Sequence, residues 1–155
     1  MRKFTIRQAG EADIEAIFSL VQELAVFQKA AHKVTNTVEA MKRDQAYFRC
    51  FVAENREKEI VGMASWFFAY YTWVGKSLYL DDMYVREAFR GQGIGKELLK
   101  KIFEVADREQ CRRVRWQVSH WNEPAIGFYK KLGADIDDEC ANCDFDATAI
   151  QRLLL

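Results

Sequence analysis

Proline is almost absent from this chain of 155 residues, and the one proline is Pro124. Proline-rich linkers are thereby excluded, and no composition shift divides the chain into segments. Histidine is nearly as scarce, with only His32 and His120. A structural zinc at Cys140-x-x-Cys143 would need two further ligands, and neither histidine lies in a paired motif. A thioredoxin-type pair opens a helix after a strand near the N-terminus, whereas this pair lies late in the chain. No metal is expected, and the four cysteines, which include Cys50 and Cys111, read as reduced thiols. Neither sign of charge prevails, since Lys plus Arg and Asp plus Glu number 23 each. A net charge of zero gives no global attraction to nucleic acid or to an acidic membrane, so neither is expected as a partner. The local clusters Lys96, Lys100, Lys101 and Arg112, Arg113, Arg115 read as a solvated helix face and a strand end. No apolar run approaches the ~18 residues of a membrane span. Met1-Arg2-Lys3 leads into alternating polar and apolar residues rather than a secretory apolar run, so a cytoplasmic location is the expectation.

What is present is core material. Half of the residues are hydrophobic and 14% are aromatic, which argues for one folded domain over residues 1–155. Phe4 and Ile6 alternate with polar residues as a first strand. Ile14, Ile17, Phe18, Val21, Leu24 and Ala25 fall on one face of a helix over Gly10–Gln28. Thr37 N-caps a short helix to about Gln45. Phe48–Glu54 and Ile60–Ala69 read as a hairpin around the polar turn Asn55-Arg56-Glu57-Lys58. Ser77–Val85 is a further strand, Gly93–Arg108 an amphipathic helix, and Val114–Val118 a strand. Pro124 suits a first helical turn, and Gly133 suits the position just past that helix. The tail reads as a last strand or two and a helix from about Ala147. Strands interleaved with helices place the fold in the α/β or α+β class, a mixed sheet covered by helices.

The most informative segment is Arg90-Gly91-Gln92-Gly93-Ile94-Gly95-Lys96, between a strand and an amphipathic helix. At such a junction, N–H groups face outward at the positive end of the helix dipole, and glycines let a ligand approach the backbone. A Walker loop fails twice, because its first glycine falls on Arg90 and its Ser/Thr on Glu97. A dinucleotide fingerprint fails too, since its third glycine falls on Lys96 or Leu98. The spacing Arg90-x-x-Gly93-x-Gly95 is instead similar to R/Q-x-x-G-x-G/A, the acetyl-CoA pyrophosphate loop of the GNAT superfamily of N-acetyltransferases. Taken alone, the turn also fits a helix start with no ligand.

A second segment agrees with it. Trp121-Asn122-Glu123-Pro124, followed by Phe128-Tyr129 and Gly133-Ala134, resembles the second GNAT signature in the right order. Lys3-Phe4, Glu23-Leu24-Ala25, Trp73-Val74-Gly75-Lys76 and Leu78-Tyr79-Leu80-Asp81-Asp82 narrow the resemblance to the diamine/polyamine, spermidine/spermine-type branch. The similarity covers most of the chain and weakens after Ala134. It implies a GNAT fold with a mixed, mostly antiparallel sheet of about six or seven strands, splayed in the middle and flanked by about four helices. It implies acetyl-CoA as co-substrate, a homodimer, and transfer of acetyl to a small-molecule amine by direct attack. Met83, Tyr84 and Val85 would pair with the pantetheine arm as an added strand, and Arg90, Gly91, Gln92, Gly93, Ile94, Gly95 and Lys96 would hold the pyrophosphate. Asn122 would contact the cofactor. Tyr129 would be the general acid, and Asp81, in place of the family's Glu, would help remove the amine proton through water. Glu23, Phe27, Gln28, Trp73 and Asp82 would line the acceptor site.

The chemistry is consistent with those residue types. An amine with a pKa near ~10.4 is almost wholly protonated at pH 7 and needs a carboxylate to take its proton. A phenol near ~10 can donate to a thiolate near ~8.5. Each residue also has a plainer reading: Asp81 and Asp82 as an edge-strand solubility pair, Tyr129 as a packed aromatic. In a regular strand Asp81 and Asp82 point to opposite faces. The polyamine branch that the chain resembles carries an acid where this chain has Gln28 and another just before its Pro-Trp, where this chain has Tyr71 before Thr72-Trp73. We expect a less cationic acceptor, such as an amino-acid-like or aromatic amine. Acetylation of a protein or peptide amine, and a non-catalytic acyl-CoA sensor, are the alternatives.

Overall fold

Ile14, Ile17, Leu20 and Leu24 recur at helical spacing, and all four are buried in α1 (Ile14–Phe27). Ile94, Leu98, Leu99, Ile102, Val105 and Ala106 are buried in the same way in α3 (Ile94–Arg108). These two stripes cover opposite faces of one sheet and define two cores. Ala53, Val61, Ala64, Trp66, Leu78 and Leu80 pack with α3, while Cys50, Val52, Ile60 and Met63 pack with α1. A computed structural model describes residues 4–154; Met1, Arg2, Lys3 and Leu155, read above as parts of the chain's ends, lie outside them. Two contact units result, the first ending at Gln117 and the second beginning at Val118.

The first unit holds the sheet. Its strands are β1 (Phe4–Gln8), β2 (Arg49–Asn55), β3 (Ile60–Tyr71), β4 (Gly75–Val85) and β5 (Arg113–Arg115), in the order β1-β2-β3-β4-β5. The first four run antiparallel, and β5 returns parallel to β4 after the crossover through α3. A short α2 (Val38–Arg43) is N-capped by Thr37, whose hydroxyl accepts the Ala40 N–H at 3.1 Å. Arg7 on β1 donates to Asp13 at 2.7 and 2.8 Å and to Glu54 on β2 at 2.9 Å, which ties the start of α1 to the sheet.

The second unit carries α4 (Glu123–Lys131) and α5 (Ala147–Leu154). Asn122 caps α4, and Pro124 stands in its first turn. The helix ends as the sequence predicts: Gly133 takes φ +90°, the Ala134 N–H donates to the Tyr129 carbonyl at 3.0 Å, and the Gly133 N–H donates to Lys130 at 3.0 Å.

Two expectations are corrected. The described residues give a sheet of five strands rather than six or seven, and five α-helices rather than four. The expected last strands fall in Ala134–Asp146, where Asp, Glu, Asn and Cys interrupt any run of β-branched or aromatic residues. The strand expected over Val114–Val118 pairs only at Arg113–Arg115. That early end is what opens the sheet beside the second half of β4.

Candidate active site

The glycine-rich turn has the geometry that its composition predicts. Gly93 is the N-cap of α3 with φ +86°, a conformation that strains any residue with a Cβ. Gly95 lies inside the helix with no such backbone need, and a Cβ there would meet nothing within 4 Å. The fold therefore gives no reason for glycine at 95, whereas a ligand seated on the bare backbone would. The first intrahelical bond at this end runs from the Glu97 N–H to Gly93 at 3.0 Å, which leaves the preceding N–H groups of the turn open. Ile94 is buried in the core and offers only its N–H. Gln92 and Lys96 stand exposed at the rim. This set of donors, with a lysine beside it, fits a pyrophosphate.

The edge of β4 leads to this turn. β5 pairs with β4 only at Ser77, Leu78 and Tyr79. The Arg86 N–H donates to the Val61 carbonyl at 3.0 Å, while Gly62 lies opposite Val85. In an antiparallel ladder this makes Gly62–Val85 a non-hydrogen-bonded pair, and alternation makes Ala64–Met83 another. The backbone N–H and C=O of Met83 and Val85 therefore face away from β3, toward the open edge. Those of Tyr84 are directed at Met63 on β3. An extended arm added at this edge meets Met83 and Val85, while Tyr84 contributes its side chain.

The register shifts once along β3 and β4. Ser65 lies opposite Asp82 and Trp66 opposite Leu80, so Asp81 is an extra residue on β4. The consequence corrects the regular-strand expectation for the two acids. Leu80 and Met83 both pack on the α3 side, and Tyr84 packs on the α1 side. Asp81, next to Leu80, and Asp82, two before Tyr84, thus both project to the α1 side. No side-chain hydrogen bond or ion pair holds either carboxylate among the described residues. Burial raises the Asp81 pKa. Burial, helped by the charge of Asp81, pushes Asp82 up to about 6.

A second cluster gathers four of the sequence-predicted residues. The Arg90 guanidinium lies 5.0 Å from the Phe27 ring centroid and 5.5 Å from that of Tyr84. Its Nε donates to the Val85 carbonyl at 2.9 Å, one of the outward-facing groups of β4. Glu23 gives its carboxylate to Arg86, at 3.0 and 3.2 Å from Nε, and Arg86 also donates to Glu59. The two carboxylates hold the Arg86 pKa above its ordinary value, with the Glu23 hydrogen bond the larger cause. Gln28 is the exposed C-cap of α1. Trp73 stands in the β3–β4 turn at 99% exposure, with no packing to hold it.

In the second unit, the Asn122 side chain accepts the Ala125 N–H at 3.4 Å. Tyr129, on α4, is half-buried beside Phe128, with ring centroids 5.6 Å apart. Burial raises its pKa, so the phenol stays a proton donor across the neutral range.

Sequence reasoning gave no place at the site to three residues on the α1 side of the sheet, Tyr79, Arg113 and Arg115. Phe67 and Tyr79 stack at 5.2 Å, and Arg113 and Arg115 lie over the Tyr71 ring at 4.3 and 5.5 Å. The alternation Arg113-Val114-Arg115 was the available signal, since it puts both arginines on one face.

The profile of the acetyltransferase (GNAT) family matches residues 14–134. A thialysine N-epsilon-acetyltransferase of Mus musculus is 39% identical over 145 residues, covering 86% of this chain and 85% of the relative. A spermidine/spermine N(1)-acetyltransferase-like protein of Homo sapiens is 35% identical over 150 residues, 90% of this chain and 22% of the longer relative. The fold superimposes on an aminoglycoside N-acetyltransferase in complex with CoA at a TM-score of 0.73, with 17% identity over 92% of this chain and 94% of that one.

Proposed function

The chain belongs to the acetyltransferase (GNAT) family, and from that premise we propose that it transfers the acetyl group of acetyl-CoA to the amine of a small molecule by direct attack. The observation that carries the reading is the continuity of the open β4 edge with the glycine turn. Met83 and Val85 offer outward backbone groups, and the N-terminus of α3 follows with bare N–H groups beside Lys96. An extended amide-bearing arm ending in a pyrophosphate has that pattern of acceptors and donors. The co-substrate supplies a thioester activated toward amines. The names of the mouse and human relatives support a small amine as acceptor.

The residues divide the proton work. Asp81 and Asp82 share one face, and the raised Asp82 carboxylate is a stronger base than an ordinary aspartate while still largely ionised at pH 7. The pair attracts the acceptor's ammonium and drains its proton, directly or through water. Tyr129 holds the proton that the departing thiolate takes. Arg90, steadied on Phe27 and Tyr84, closes the end of the β4 edge and stands at the start of the phosphate turn. Asn122 and the lining residues Phe27, Gln28 and Trp73 keep the roles that the resemblance implies, whereas Glu23 acts through Arg86. A homodimer and a cytoplasmic location complete the proposal. The test is thiol release from acetyl-CoA by the purified chain against amino acids, diamines, aromatic amines and a short peptide. Acceleration by one class names the acceptor. Thermal stabilisation by acetyl-CoA with no accelerating amine would replace the enzyme reading with a sensor.

A further inference from the structure

We infer that Arg113 and Arg115 form a carboxylate subsite on the α1 side of the sheet, which selects acceptors bearing an anionic group at a fixed distance from the reacting amine. This rests on the acetyltransferase reading and deepens it. The face carries four charges without protein counterions. Asp81 and Asp82 have none, and among the described residues neither Arg113 nor Arg115 enters an ion pair or side-chain hydrogen bond. The Arg113 Nε is buried with no acceptor. A donor left in that state costs free energy that an anion would return. Both guanidiniums lie against Tyr71, which orients them without satisfying their hydrogen-bonding edges.

The spacing supplies the specificity. Arg115 lies opposite Tyr79 on β4, and Asp81 and Asp82 follow two and three residues farther on. At about 3.3 Å per residue the acids stand roughly 7–10 Å from Arg115 along the strand, and roughly 13–17 Å from Arg113, which lies opposite Ser77. They are too far apart to pair with each other, yet Tyr79 lies within the electrostatic reach of Asp81, Asp82 and Arg115 together. A side-chain amine joined to its α-carbon through three or four methylenes spans about 5–6 Å when extended, and the carboxylate adds about 1–2 Å. Such an acceptor places its ammonium at the acids and its carboxylate at Arg115, with Arg113 adding positive charge behind it. A diamine of equal length brings a second cation to the arginines and is repelled.

The experiment compares matched acceptors: ornithine against putrescine, and lysine against cadaverine, with acetyl-CoA held constant. The wild-type chain is expected to show a higher kcat/KM for each amino acid than for its decarboxylated partner. Arg115→Gln should lower that ratio by about 10- to 100-fold, mainly through the amino acid's KM, and Arg115→Lys should restore part of it. Arg115 is only half-buried, so a melting curve for each variant separates a lost contact from a lost fold. Diamines preferred by the wild type would overturn the subsite and leave the acetyltransferase reading intact. An equal effect of Arg115→Gln on both acceptors would do the same, as would an effect on the KM of acetyl-CoA alone. If no amine of any class is acetylated, both fall together.

Discussion

Asp82 keeps its proton to about pH 6 because burial and the neighbouring Asp81 both oppose its charge. For catalysis the consequence is an acidic limb. A carboxylate that must be ionised to accept a proton makes kcat/KM rise with pH and level off above its pKa. We expect the limb near pH 6 in the wild type. Asp82→Asn should remove it while lowering kcat by about 10²-fold. A profile whose limb survives that substitution would reassign the base. Tyr129 makes the complementary prediction. Its phenol is held protonated by burial, so Tyr129→Phe should lower kcat by about 10²- to 10³-fold. The dissociation constant of CoA, read by calorimetry, should stay unchanged. Weaker CoA binding with kcat intact would make Tyr129 a packing residue.

The elements differ in how readily they are read from the sequence. Helix α3 is legible because its apolar residues keep helical spacing over the whole of Ile94–Arg108 and a glycine turn marks its start. The bulge at Asp81 is invisible in the chain, because its one-residue shift is recorded only in the partner strand. It decides that Asp81 and Asp82 share a face, which alternation alone assigns the other way. The early end of β5 is hidden for a similar reason. Trp116 and Val118 continue the apolar alternation, but no pairing continues with them. The phosphate turn allows a test within one element. Gly95→Ala adds a Cβ in open space within a helix and should raise stability by about 0.5 kcal/mol. It should also weaken CoA binding, because the methyl group covers the bare backbone. Gly93→Ala meets φ +86° and should destabilise by about 1 kcal/mol or more. If Gly95→Ala leaves the CoA dissociation constant unchanged, phosphate is not seated there.

For the whole chain, two groups of carboxylates pull the pH dependence of stability in opposite directions. Asp13 has its pKa lowered, first by its hydrogen bond to Arg7. It contributes stability above its unfolded pKa, and that contribution is lost as pH falls through the lower folded value. Asp81 and Asp82 have their pKa values raised, chiefly by burial. The folded state holds their protons more tightly than the unfolded chain does, so their contribution is present in acid. For Asp82 it is lost as pH rises from its ordinary 3.8 through about 6. Above about pH 5 the lowered acids are already ionised in both states and no longer change stability. The raised pair therefore sets the slope, and the melting temperature should be higher near pH 5 than at pH 7. Asp82→Asn removes most of that slope. At pH 7 it should stabilise by on the order of 1–2 kcal/mol after allowance for partial exposure, a gain of a few degrees, and near pH 4 by much less. Melting curves of both proteins across this range provide the measurement, and equal slopes would show that Asp82 does not carry the strain assigned to it. The same substitution is expected to lower kcat, so a more stable and less active variant would tie the buried charge to function.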